Sequence, residues 1–169
     1  MSLNDIHIRF ATENDISTIL NFISELAEFE KLAHEVIATE DSLRKHLFGN
    51  IPRAEVILIC KDNIEIGFAL FFHNFSTFIG KPGLYLEDLY IKPEHRGSGI
   101  GKAVFYFLAK LAVERDCGRI EWWVLDWNQK AIDFYQSLGA KAMNEWTVFR
   151  LTEDKIKTLA TANMLQLTS

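Results

Sequence analysis

Ile6, Ile8 and Phe10 alternate with polar residues, the two-residue period of a half-buried strand. The period then changes. Ile16, Ile19, Leu20, Ile23 and Leu26 recur at helical spacing, behind Thr12 and Asp15, where a Thr can cap free backbone N–H groups. A second helix is predicted from Glu40 to Phe48, closed by Pro52. Ala54 to Cys60 reads as a strand, Lys61 to Asn63 (KDN) as a turn, and Glu65 to Phe72 as the returning strand. Ser76 to Gly83 (STFIGKPG) reads as a loop before a strand from Leu84 to Ile91. Val104, Leu108 and Leu111 mark one face of a helix from Gly99 to Arg115, which Cys117 and Gly118 end. A strand from Arg119 to Leu125 and a helix from Asn128 to Leu138, stopped by Gly139, follow. The tail, Ala140 to Leu151, fits two short strands turning near Asn144 and Glu145, and a last short helix begins after Thr152. The order β-α-α-β-β-β-α-β-α-β-β implies an α/β chain: one mixed sheet with helices on its faces.

Composition narrows this little. A chain of 169 residues, 49% apolar and 24% charged, suits one soluble globular domain spanning 1–169. Its net charge of −5 argues against charge-driven binding to nucleic acid or to a membrane surface. Cys60 and Cys117 are far apart and form no C-x-x-C pattern, which suggests reduced thiols in a cytoplasmic protein. The first ten residues lack the apolar core of a signal peptide, and no apolar run nears a membrane span. The five histidines have no metal-ligand spacing, so no metal is expected.

One stretch departs from simple patterning. The strand LYLEDLYI sets Glu87 and Asp88 side by side between apolar neighbours, and the glycine-rich turn RGSGIGK follows it. Adjacent side chains of a regular strand point to opposite faces, so both acids can meet one cavity only if the strand bulges. A solvated edge or a structural ion pair is the plainer alternative. In the turn, backbone N–H groups leading into a helix can converge on an anion, with Arg96 and Lys102 adding charge. The spacing fits neither G-x-G-x-x-G nor the P-loop, because Lys102 stands at the third glycine of the first and Arg96 at the first glycine of the second. What remains is Arg96-x-x-Gly99-x-Gly101, which an ordinary helix-entry turn would also satisfy.

That pattern after a strand resembles the pyrophosphate-binding signature of the GNAT acetyltransferases, which use acetyl-CoA. YLEDLYI, RGSGIG and VLDWNQKAIDFYQSLGA are similar to the spermidine/spermine (diamine) and thialysine N-acetyltransferase branch. The resemblance implies a mostly antiparallel central sheet splayed at its fourth strand. The pantetheine arm of acetyl-CoA would then meet the backbone of Leu89, Tyr90 and Ile91. Its pyrophosphate would meet Arg96, Gly97, Ser98, Gly99, Ile100, Gly101 and Lys102. Asn128, Ala131 and Phe134 carry over to the same cofactor site. Phe29, Glu30, Glu121, Trp122 and Trp123 carry over to the substrate side, and Glu87 and Asp88 are expected to face it through the bulge. Because Trp122 and Trp123 are adjacent in a strand, only one of them is expected to face the cleft.

The resemblance also gives the chemistry. The expected substrate is a small cationic amine: a diamine, a polyamine or a lysine-like amino acid. An alkylamine titrates near 10.4, so at pH 7 only about one molecule in 2500 is neutral, a penalty of roughly 4.6 kcal/mol. Glu87 would bind the ammonium and take its proton, directly or through a water. Tyr135 matches the family's general acid, and a phenol that titrates near 10 arrives protonated to meet the leaving thiolate. Direct transfer is expected, without a cysteine acyl-enzyme. Similar proteins are homodimers, and the same is expected here. The competing readings are acetylation of a protein or peptide amine, and a non-catalytic acyl-CoA sensor.

Overall fold

The computed structural model describes residues 5–161. They fall into two compact units, one ending at Trp123 and one beginning at Val124.

The first unit is built on a five-stranded sheet of order β1-β2-β3-β4-β5: Ile6–Phe10, Glu55–Lys61, Ile64–Ser76, Lys81–Ile91 and Arg119–Trp122. β1 to β4 pair antiparallel, and β5 joins β4 in parallel. The KDN turn is a two-residue hairpin with Asp62 and Asn63 both at positive φ, the geometry whose twist matches the flanking strands. The predicted loop at Ser76–Gly83 is shorter than expected. β3 runs to Ser76 and β4 starts at Lys81, because Phe75↔Pro82 and Asn74↔Gly83 continue the ladder to a tight turn.

Helices cover both faces of this sheet. α1 (Ile16–Phe29) and α2 (Glu40–Leu47) lie on the face that carries Val56, Leu58, Cys60, Phe68 and Tyr90. Phe22 of α1 stacks on Phe68 at 5.8 Å and meets Tyr90 at 6.1 Å. Burying each such side chain stabilises the fold by about 1.5–3 kcal/mol. α3 (Ile100–Glu114) takes the opposite face, where Phe107 meets Phe10 and Phe105 meets Trp122. Thr39 caps α2 by accepting from Ser42 N, and Arg9 binds both Asp15 and Glu65, tying β1 to the entry of α1 and to β3.

The second unit holds α4 (Gln129–Ser137) and α5 (Glu153–Thr161). The strand expected from Arg119 to Leu125 stops at Trp122, where its pairing with β4 ends. The two strands expected between Ala140 and Leu151 are absent, although a turn does form at Asn144 and Glu145. Residues 141–152 are all exposed, and a lone hairpin with no face to bury is at best marginally stable. No helix among the described residues is long and apolar enough to cross a membrane.

Candidate active site

The ladder between β3 and β4 breaks at the two acids. Leu70 pairs with Asp88, but its neighbour Phe71 pairs with Leu86, so Glu87 has no opposite residue. The extra residue reverses the parity of everything beyond it. Tyr85 lies on the α1 face, opposite Phe72, and without a bulge Asp88 would lie on the other face. With the bulge, Asp88 shares the α1 face with Tyr85 and Tyr90.

The same point ends the β4–β5 pairing. Leu86↔Trp122 is the last pair, and from Glu87 to Ile91 the outer edge of β4 has no partner strand among the described residues. The sheet is therefore splayed at its fourth strand. Unpaired strand edges are ready-made templates for an extended chain with amide groups.

The turn after β4 continues this open edge. Gly97 and Gly99 have φ of 76° and 87°, a region that glycine enters without strain. Gly99 then caps α3. Among the described residues nothing accepts from the backbone N–H groups of residues 97–102, and Gly99 O receives the first bond of the helix, from Ala103. These amides, with the positive end of α3, form a place for an anion. Arg96 turns back, donates from Nε to Ile91 O at 2.7 Å, and lies over the rings of Phe29 (4.4 Å) and Tyr90 (5.3 Å). Lys102 lies over Tyr106 of its own helix. Arg96 thus ties the end of α1, with Phe29 and Glu30, to the end of β4.

The acids crowd one another. Burial pushes the Asp88 carboxyl up to about 6, helped by the charges of Glu87 and Glu30. Burial also raises Glu30. Tyr85 is pushed up to about 12, by burial and then by Glu87 and Glu121. Among the described residues none donates a hydrogen bond to Glu87 or Asp88. The face is one that a cation would relieve.

β5 adds its own side chains to this face. Glu121 pairs with Tyr85, and Trp123 meets the Tyr85 ring edge-on at 6.0 Å. Trp122 points to the other face, against Phe105 of α3 at 5.0 Å. Of the two tryptophans, Trp123 alone therefore shares the acidic face. Three residues here escaped sequence reading: Tyr85, Asn74 and Arg119. Strand parity relative to Glu121 could have found Arg119, while Tyr85 and Asn74 join it only through the register of neighbouring strands.

In the second unit, Asn128 caps α4, its Oδ1 accepting from Ala131 N at 3.3 Å. Phe134 and Tyr135 follow on that helix with ring centroids 5.4 Å apart, and the Tyr135 carbonyl accepts from Leu138 and Ala140. Burial raises both thiols, Cys60 inside β2 and Cys117 beyond α3, which keeps them protonated and unreactive.

Comparison with known proteins agrees with this geometry. Residues 20–140 match the family model for acetyltransferases of the GNAT family. The chain is 37% identical over 166 residues to a thialysine N-epsilon-acetyltransferase of Bos taurus, covering 92% of this chain and 97% of that one. It is 31% identical over 202 residues to an L-ornithine N5-acetyltransferase of Arabidopsis thaliana, covering 93% and 89%. Its fold is similar to that of an integron cassette protein from the mobile metagenome of V. cholerae, with a TM-score of 0.78, 23% identity and coverage of 94% and 99%. The chain belongs to the GNAT acetyltransferase family, and it is an N-acetyltransferase.

Proposed function

We propose that the enzyme moves an acetyl group from acetyl-CoA to the side-chain amine of a small cationic substrate of the thialysine or ornithine type. The observation that carries this reading is the break at Glu87. It opens the outer edge of β4 and places unpaired carboxylates beside it. The two relatives act, by name, on thialysine and on L-ornithine, both of which carry a side-chain amine.

Acetyl-CoA supplies the activated acyl group and a thiolate leaving group. The free amides of Gly97, Ser98, Gly99, Ile100, Gly101 and Lys102 fit its pyrophosphate, and the open edge at Leu89, Tyr90 and Ile91 fits its amide-bearing arm. Arg96, held through its Nε by Ile91 O, and Lys102 are both exposed and supplement the positive charge around these amides. On the second unit, Asn128, Ala131 and Phe134 are read as cofactor-binding from the family resemblance.

On the substrate side, Glu87, Asp88 and Glu30 draw the ammonium in. Glu87 is exposed and unbonded, so it can hold the ammonium and accept its proton. Phe29, Glu121 and Trp123 border this site. Tyr135 donates a proton toward the leaving sulfur. Transfer is direct, since neither thiol is activated. Residues 1–169 are read as a single acetyltransferase domain, and the protein works as a cytoplasmic homodimer.

Turnover of acetyl-CoA over a panel of lysine-like amino acids, diamines and short peptides, read as free thiol, tests this reading. Thiol release with the small amines is expected. Activity on peptides alone, or tight binding of acetyl-CoA with no turnover, would overturn it.

A further inference from the structure

The acidic face continues past the bulge into polar groups that amine binding leaves unused. Asn74 of β3 pairs with Gly83 of β4, and Gly83 with Arg119 of β5. Asn74 Nδ2 donates to Glu121 Oε2 at 2.9 Å. Arg119 Nε lies 2.8 Å from the same oxygen, an ion pair without hydrogen-bond alignment. Arg119 Nε and Asn74 Oδ1 are both buried atoms that find no hydrogen-bond partner among the described residues. Nothing described accepts from the two terminal nitrogens of Arg119. A glycine keeps this space open: a Cβ at Gly83 would come within 2.2 Å of Asn74 Oδ1 and 3.3 Å of Arg119 Nε.

This is a half-used charge pair. One oxygen of Glu121 is held in place, and the other is free. The guanidinium fork beside it is empty, and that fork matches a carboxylate with two parallel bonds. A group with an ammonium and a carboxylate on one carbon would satisfy both. The spacing agrees. Glu121 pairs with Tyr85, two residues before Glu87, which is about 7 Å along the strand. In an extended lysine-like molecule the α-carbon and the side-chain nitrogen are separated by about 6 Å. Between the two ends, Tyr85, flanked by Phe72 at 5.0 Å and Trp123 at 6.0 Å, offers an apolar wall for the methylenes.

We propose that Arg119 and Glu121, oriented by Asn74, hold the α-carboxylate and α-ammonium of an amino-acid substrate and so select it over the corresponding diamine. The proposal rests on the amine-acetylation reading above and narrows its substrate. A diamine brings a second ammonium to this point. Glu121 welcomes it, but Arg119 repels it and its fork stays unfilled.

The test compares L-lysine with 1,5-diaminopentane, its carboxylate-free analogue, in the wild type and in Arg119→Gln. The wild type should favour lysine in kcat/KM. In Arg119→Gln the lysine value should fall about tenfold to a hundredfold while the diamine value rises, so that the preference reverses. Equal losses on both substrates would make Arg119 structural and overturn the proposal, as would no change on either. Should Arg119→Gln not fold, Arg119→Lys replaces it: it keeps the charge and loses the fork, so the lysine value should fall while the diamine value holds, and equal change on both would overturn the proposal. A wild type inert on both amines would defeat the acetyl-transfer reading instead. Calorimetry with the same two compounds then decides the carboxylate contact by itself. Lysine bound at least tenfold more tightly, with that margin lost in the Arg119 variant, supports it, and equal or absent binding ends it.

Discussion

Asp15 and Asp88 lie in the same unit and are treated in opposite ways. Asp15 receives two hydrogen bonds of 2.8 Å from Arg9, and two more from the backbone N and Oγ1 of Thr12 at 2.7 and 3.0 Å. Arg9 holds its carboxyl well below the usual carboxylate range. Asp88 receives no such bond from any described residue and has Glu87 and Glu30 as neighbours, so burial and like charge push it up to about 6. Folding is helped by the first arrangement and opposed by the second. An aspartate left to burial and repulsion, in a chain that satisfies another so fully, is a candidate for binding a ligand.

The sharpest way to break this contrast is to remove a charge from the bulge. Glu87→Gln keeps size and shape. Turnover should fall by about 10²- to 10⁴-fold, the usual worth of a positioned acid–base group. The melting temperature should hold or rise, since a repulsive charge has gone. Near-normal turnover at neutral pH would show that Glu87 is only a solvated edge residue.

The mirror experiment is Asp15→Asn. It breaks the bidentate pair and leaves Arg9 with Glu65 alone. Stability should drop by about 2 kcal/mol in urea titration, within the range for hydrogen bonds to charged groups, while turnover per folded molecule stays as it was. The sign with pH is that of a depressed group: its contribution is present above about pH 4 and is lost as the medium becomes more acid. A loss of turnover without a loss of stability would put Asp15 on the wrong side of the comparison.

Sequence reading reached part of the second half of this contrast. Strand parity alone left two choices for the paired acids, a bulge that brings both to one cavity or a solvated edge, and the family resemblance favoured the bulge that the register shows. The hairpin at Asp62 and Asn63 was legible too, because few residues accept positive φ. The place of Arg96 was not. Its neighbours in sequence suggest an anion, and only the return of α1 beside β4 brings it onto Phe29 and Tyr90. Asn74, Gly83 and Arg119 lie far apart along the chain and carry no motif. They meet only because β5 joins β4 in parallel and in one register. The tail misled for the opposite reason: Trp146, Val148 and Phe149 have strand propensity, but all three are exposed and have no sheet to join.

The smallest effect is the one that most directly tests whether Asp88 is held at a cost. Its folded pKa, about 6, lies above the ordinary value near 3.9 for an aspartate. The protonated form is therefore the one favoured by folding. That contribution is full below about pH 4 and fades as the pH rises to 6, beyond which the ionised group opposes the fold. Two pKa units would correspond to about 3 kcal/mol at 1.36 per unit, and partial exposure to solvent reduces this to about 1. Asp88→Asn should accordingly be about 1 kcal/mol more stable than the wild type at pH 7, and the difference should vanish by pH 4. Urea titrations at the two pH values measure it. If a saturating cationic amine closes the same gap at pH 7, then the repulsion around Asp88 is relieved by the charge that the site was built to receive. A gap that ignores both pH and amine would mean that Asp88 is merely badly packed.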